Sequence, residues 1–142
     1  MKFFVNILMI LVIMTSNLFA QQKKGELTDF ELKNGIGPVK SKLKLDKINT
    51  KLAESGKKSF NEKCLLCHKI EGKGIGPAMK NITKKRSPEF IMNIIMNPEE
   101  NERRHPEIIK LKSQYRFNMP DMGIKYDEAR AILEYLRLID KK

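Results

Sequence analysis

The chain has 142 residues, 41% of them hydrophobic but only 7% aromatic, with no Trp and a formal charge of +11. That length excludes two full domains and suits one small domain with a targeting segment. So thin an aromatic complement calls for a bound apolar cofactor to complete the core, and the basic balance points to an acidic-patched partner or an anionic surface.

In chain order, residues 1–20 come first. Lys2 precedes an apolar run from Phe3 to Met14, and Thr15 to Ala20 is more polar with a small residue at its end. This is the pattern of an export signal. An uncleaved membrane anchor is the alternative, although the apolar run is short for a span. No cysteine follows the segment, so a lipid anchor is not expected there. Either way the domain is delivered across a membrane, periplasmic or anchored at its surface, and export argues against nucleic acid as a partner.

Residues 21–46 are Lys-rich and contain Gly25, Gly35, Gly37 and Pro38 without a long helical period. They read as an extended arm or linker that packs in part on the domain, residues 47–142. The arm's GIGP (Gly35 to Pro38) is repeated at Gly74 to Pro77, an echo that reads as two similar turns rather than a duplicated unit. A first helix is expected from Ile48 to Cys64, where Ile48, Leu52, Gly56, Phe60 and Cys64 fall at i+4 steps. Gly56 weakens that helix, so a close neighbour is expected there.

Residues Lys69 to Thr83 read as loop. A second helix begins at Ser87-Pro88, a cap followed by Pro in the first helical position, and stops at Pro98. A third begins near Pro106 and carries Ile108, Ile109, Leu111 and Tyr115. After the loop RFNMPDMGIK, a last helix follows Asp127 as cap, with Ala131, Ile132, Tyr135 and Leu136 inward. No alternating strand pattern occurs, and the class is all-α.

Both cysteines and one of the two histidines sit in CLLCH, Cys64 to His68. A thioredoxin-like dithiol needs Cys-x-x-Cys at a helix start beside strands, whereas here the helix precedes the cysteines. A zinc site has four ligands by count with His105, but His68 directly after Cys67 strains a tetrahedron. A disulfide across so small a loop adds little stability. Covalent haem fits best: the two thiols add across the haem vinyl groups and the adjacent His reaches the iron.

For the second axial ligand the candidates are Met79, Met92, Met96, Met119, Met122 and His105. Met92 and Met96 lie at i, i+4 in a helix and read as core. Met79, after the Gly-Pro turn, is expected near the haem. Met119 lies in a loop stiffened by Pro120, with Met122 the close alternative. His105, before Pro106 among charged residues, reads as surface or helix cap.

These features resemble the small class I monohaem cytochromes c over about residues 46–140. In that family a Gly and an aromatic residue stand eight and four positions before the first haem Cys, as Gly56 and Phe60 do here. They cross an aliphatic-x-x-aromatic pair on the last helix, and Ile132 and Tyr135 are similar to it. GIGPAM resembles the turn whose Pro carbonyl orients the haem His, which gives Pro77 that role toward His68. NMP at Asn118 to Pro120 resembles the axial Met loop.

The resemblance implies about four helices around one haem c, bound through Cys64 and Cys67, with crossed terminal helices. It also implies axial ligation by His68 and Met119. The expected function is electron transfer between respiratory redox partners such as a terminal oxidase, a nitrogen-oxide reductase or a dehydrogenase, after loading by haem maturation machinery. The alternative is a haem enzyme or a gas or peroxide sensor with a labile Met. Lys63, Lys69, Lys73, Lys80, Lys84 and Lys85 are expected to ring an open haem edge and steer acidic partners. The N-terminal arm and ENERRHPEIIKLKSQY have no counterpart in the minimal family pattern.

Overall fold

A computed structural model describes residues 25–141. The signal segment and the first residues of the arm lie outside that range. Seven helices occur in it: α1 Asp29–Asn34, α2 Thr50–Lys63, α3 Ile82–Lys85, α4 Pro88–Met96, α5 Pro98–Arg104, α6 Pro106–Tyr115 and α7 Tyr126–Lys141. Among the described residues there is no strand, as the all-α reading expects. No helix among them is long and apolar enough to cross a membrane.

The frame is the crossing of α2 and α7. At Gly56 an added Cβ would stand 1.9 Å from the Ala131 carbonyl oxygen, so the two backbones touch there and only Gly fits. One helical turn on, the rings of Phe60 and Tyr135 meet at 5.5 Å between centroids. Phe60, Ile132, Leu133 and Leu136 are almost fully buried around this contact. Each such side chain contributes about 1.5–3 kcal/mol of apolar burial. The Gly-aromatic and Ile-x-x-Tyr spacings thus meet as the sequence leads one to expect.

Polar anchors fix α7 to the segments that flank it. Glu134 is fully buried and accepts from Arg130, Arg137 and the Asn49 N–H. Burial pushes its carboxyl up, but the two guanidiniums and the Asn49 N–H outweigh that and leave it below the ordinary carboxylate value. Asp140 accepts from the Asn81 and Thr83 N–H groups at 2.5 and 2.9 Å and from the Thr83 hydroxyl, which holds α3 against α7.

Several expectations are corrected. Four helices become seven, because short α1, α3 and α5 carry no full hydrophobic period. Helix α4 starts as expected, with the Ser87 hydroxyl accepting from the Phe90 N–H, and ends before Pro98. That same Pro opens α5. Asp127 lies in the first turn of α7, inside the helix rather than before it.

The arm is not an extended linker over its described length. Thr28 and Glu31 form a reciprocal capping box that starts α1. Residues Asn34 to Gly37 and Val39 are buried against α4 and α5.

Asparagine side chains hold this strap by its backbone. Asn93 accepts from the Val39 N–H at 2.9 Å and donates to the Asn34, Gly35 and Val39 carbonyls. Asn101 accepts from the Ile36 N–H at 2.8 Å and donates back to the Ile36 carbonyl. Glu89 takes the Leu43 N–H, and Ser87 donates to the Asn34 side chain. A side-chain amide offers one acceptor and two donors, which is what an otherwise unpaired extended backbone needs when buried.

Candidate functional site: a haem pocket

Helix α2 ends at Lys63, and the chain turns back on itself through the CLLCH motif. The His68 N–H donates to the Cys64 carbonyl at 2.8 Å, and the Gly76 N–H to the Cys67 carbonyl at 2.9 Å. These bonds close the loop so that Cys64, Cys67, His68 and Pro77 line one apolar cavity of about 320 Å³. Phe60, Ile91, Ile132 and Leu136 continue the core into its wall.

The imidazole of His68 is aimed from behind. Its Nδ1 lies 3.0 Å from the Pro77 carbonyl oxygen. A carbonyl only accepts, so Nδ1–H donates and Nε2 is the ring nitrogen left to serve as a ligand. Gly76 makes room for the ring: an added Cβ would stand 2.6 Å from His68 Cε1. Both thiols are free and half-buried. Burial, with Glu128 adding to it, pushes the Cys64 thiol up to about 11.

The loop between α6 and α7 brings Met119 and Met122 to the same cavity. Met119 is half-buried and Met122 is 41% exposed. Met79 lines the cavity, as expected of a residue near the haem. Met92 is fully buried in the core and Met96 packs against it, again as expected.

His105 corrects the sequence reading. It occupies the position before α6 but makes no side-chain cap bond, and it is fully buried. Its Nε2–H donates to the Leu32 carbonyl at 3.1 Å, and its ring meets Phe90 edge-on at 5.4 Å. It therefore fastens the arm rather than joining Cys64, Cys67 and His68. Charged neighbours in sequence concealed this, because Arg103 and Glu107 on either side of it are exposed.

The site holds one more residue that the sequence did not single out. Glu102 of α5 lines the cavity and accepts from the Met119 N–H. A glutamate in a run of charged residues gives no pattern from which to predict that contact.

The family profile of cytochrome c matches residues 53–139. The chain belongs to the cytochrome c family. Cytochrome c from Rhodothermus marinus is 40% identical at a TM-score of 0.74, over 78% of this chain and 96% of that one. An engineered form of that cytochrome is 38% identical at 0.74, covering 79% and 97%. The engineered form bound to a carbene intermediate scores 0.71 at the same identity. No curated protein matches the chain.

The cytochrome carries one haem c through Cys64 and Cys67, and the residues present fit it. Two free thiols, an apolar cavity and a glycine-backed imidazole converge at one place.

The six lysines expected around the site differ in setting. Lys63 lines the cavity but is paired with Glu128 at 2.9 Å, and Lys80 is paired with Glu71. Lys69, Lys73, Lys84 and Lys85 are exposed and make no ion pair among the described residues. The exposed side chains that line the cavity are largely apolar: Leu66 is 85% exposed and Phe117 53%.

Proposed function

We propose that this cytochrome is an exported, periplasmic electron carrier that shuttles electrons between respiratory redox proteins, with His68 and Met119 as the axial pair. One observation carries the reading. His68, aimed by Pro77, lines the same apolar cavity as Met119, so one imidazole and one thioether are available to the iron.

Haem c supplies a reversible one-electron change when bound. The protein's part is to hold Nε2 of His68 unprotonated, to present the soft sulfur of Met119, and to keep water out with apolar walls. A thioether favours ferrous iron and raises the reduction potential. Were His68 and Met119 both to hold the haem iron, no position would be left for a substrate. Met119 is preferred to Met122 because it is the less exposed and its backbone is tied to α5.

Ferric holoprotein is then expected to show the weak thioether band near ~695 nm, and Met119→Ala to lose it. A wild type without the band, or a Met119→Ala variant that keeps it, sinks the axial assignment. Rapid binding of carbon monoxide by ferrous wild type would favour an enzyme or sensor with a labile Met instead.

The exposed lysines Lys69, Lys73, Lys84 and Lys85 support an acidic-patched partner, and association with it should slow as salt rises. A rate independent of ionic strength would remove the electrostatic part. Recovery of haem-loaded protein in a periplasmic fraction tests the location.

A further inference from the structure

We propose that Glu102 is a positioning residue for the axial methionine: its carboxylate holds the Met119 backbone and so sets how firmly the thioether can stay on the iron. The inference rests on the reading of Met119 as the ligand.

The methionine loop has little else to hold it. Phe117 to Gly123 have no regular structure, and all but Met119 are exposed. Pro120 has no N–H to give. The Gly123 N–H bonds within the loop, to Asp121. Among the described hydrogen bonds of this loop, the one from the Met119 N–H to Glu102 reaches another element.

Glu102 is built for this contact. Its side chain is 8% exposed, and its second oxygen lies 3.5 Å from Lys112 Nζ on α6. Both oxygens are thus engaged, one by a backbone donor and one by a cation, and an ionised acceptor makes the stronger hydrogen bond. The helix beneath it is itself fixed: the neighbouring residue, Asn101, is fully buried and bonded to the Ile36 backbone of the arm. A side chain on a rigid element holds a loop better than a side chain on another loop.

Glu102 also brings a negative charge to the cavity wall, only partly offset by Lys112. A nearby negative charge favours ferric over ferrous iron. Position and charge therefore have opposite signatures. Losing the hold frees the methionine and lowers the potential, whereas losing only the charge raises it.

The test uses haem-loaded protein and three readouts: the thioether band, the reduction potential, and ferric affinity for imidazole, which must displace the methionine. Glu102→Ala, which loses both hold and charge, is expected to weaken the band, give a potential below that of Glu102→Gln and tighten imidazole binding by about tenfold, equivalent to about 1.4 kcal/mol of lost hold. Glu102→Gln keeps an acceptor of the same shape. It should keep the band and imidazole affinity within about threefold of wild type while the potential rises.

In wild type the Met119 amide should exchange hydrogen more slowly than those of Asn118 and Asp121, a measurement that needs no variant. A Glu102→Ala protein with unchanged band and imidazole affinity overturns the proposal, as does an unprotected Met119 amide. If Met119→Ala keeps the band, the axial assignment falls and the proposal with it. If Met119→Ala loses the band while Glu102→Ala changes nothing, only the proposal falls.

Discussion

The same four residues, GIGP, occur twice in this cytochrome and are put to different uses. At Gly74 to Pro77 the second glycine backs the His68 ring, and the proline carbonyl accepts a hydrogen bond from that ring. At Gly35 to Pro38 the second glycine backs Asn93, where an added Cβ would stand 2.4 Å from the side-chain oxygen. There the turn is what gets held: its backbone groups are paired by Asn93 and Asn101. In both, a missing Cβ lets a planar polar side chain lie against the main chain. One turn aims a metal ligand. The other is a strap seated on the domain.

If that contrast is right, damage to the two turns should separate stability from haem chemistry. The largest expected effect is on the strap. Asn93→Ala leaves the Val39 N–H and three carbonyls without their partner in a buried place. A loss of about 3 kcal/mol or more is expected in denaturant unfolding, with the haem spectrum unchanged. A large spectral change in that variant would break the comparison.

Gly76→Ala should do the reverse. Its Cβ pushes on the His68 imidazole, so the Soret band and reduction potential shift. Stability falls by about 1–3 kcal/mol, the usual cost of overpacking. Spectroelectrochemistry checks it, and an unshifted potential would show that the ring tolerates the added methyl.

Ser87→Ala removes both the cap of α4 and the bond to Asn34, at about 1 kcal/mol. It should add to Asn93→Ala less than fully, because both act on the same strap.

The smallest effect involves neither turn. The carboxyl of Glu134 is lower in the folded chain than its ordinary value of 4.5. The unfolded chain therefore takes up its proton first as pH falls. The stabilisation is complete above about pH 5 and is lost as pH falls through the lowered folded value. Glu134→Gln should be less stable at neutral pH and show a shallower acid limb, equally in either turn variant. An acid limb as steep as that of wild type would assign the sensitivity to other carboxylates.

What could be foreseen from the sequence follows the range of the signals. The haem motif is a short spacing matched to two vinyl groups, the resemblance pointed to the Gly56–Phe60 and Ile132–Tyr135 pairs, and the structure brings them together. Ser87-Pro88 marked its helix start because caps are local chemistry. Partial packing of the arm was foreseen but its anchors were not, because they are asparagines bonding to backbone, which leave no hydropathy period. His105 was misjudged for a related reason: charged sequence neighbours do not report which way a buried ring points. Glu102 was hidden because its partner is a main-chain N–H, and any residue but proline could have supplied it.

The strap also has a consequence for the order in which the molecule comes together. The strap precedes its anchors in the chain: Asn93 and Asn101 come 54 and 65 residues after the backbone groups they hold at Val39 and Ile36. The two thiols emerge in that interval, and the helix that closes over Phe60 comes later still. The strap is thus made before the segment that carries the thiols and seated after it. During that delay CLLCH is open to whatever attaches the haem.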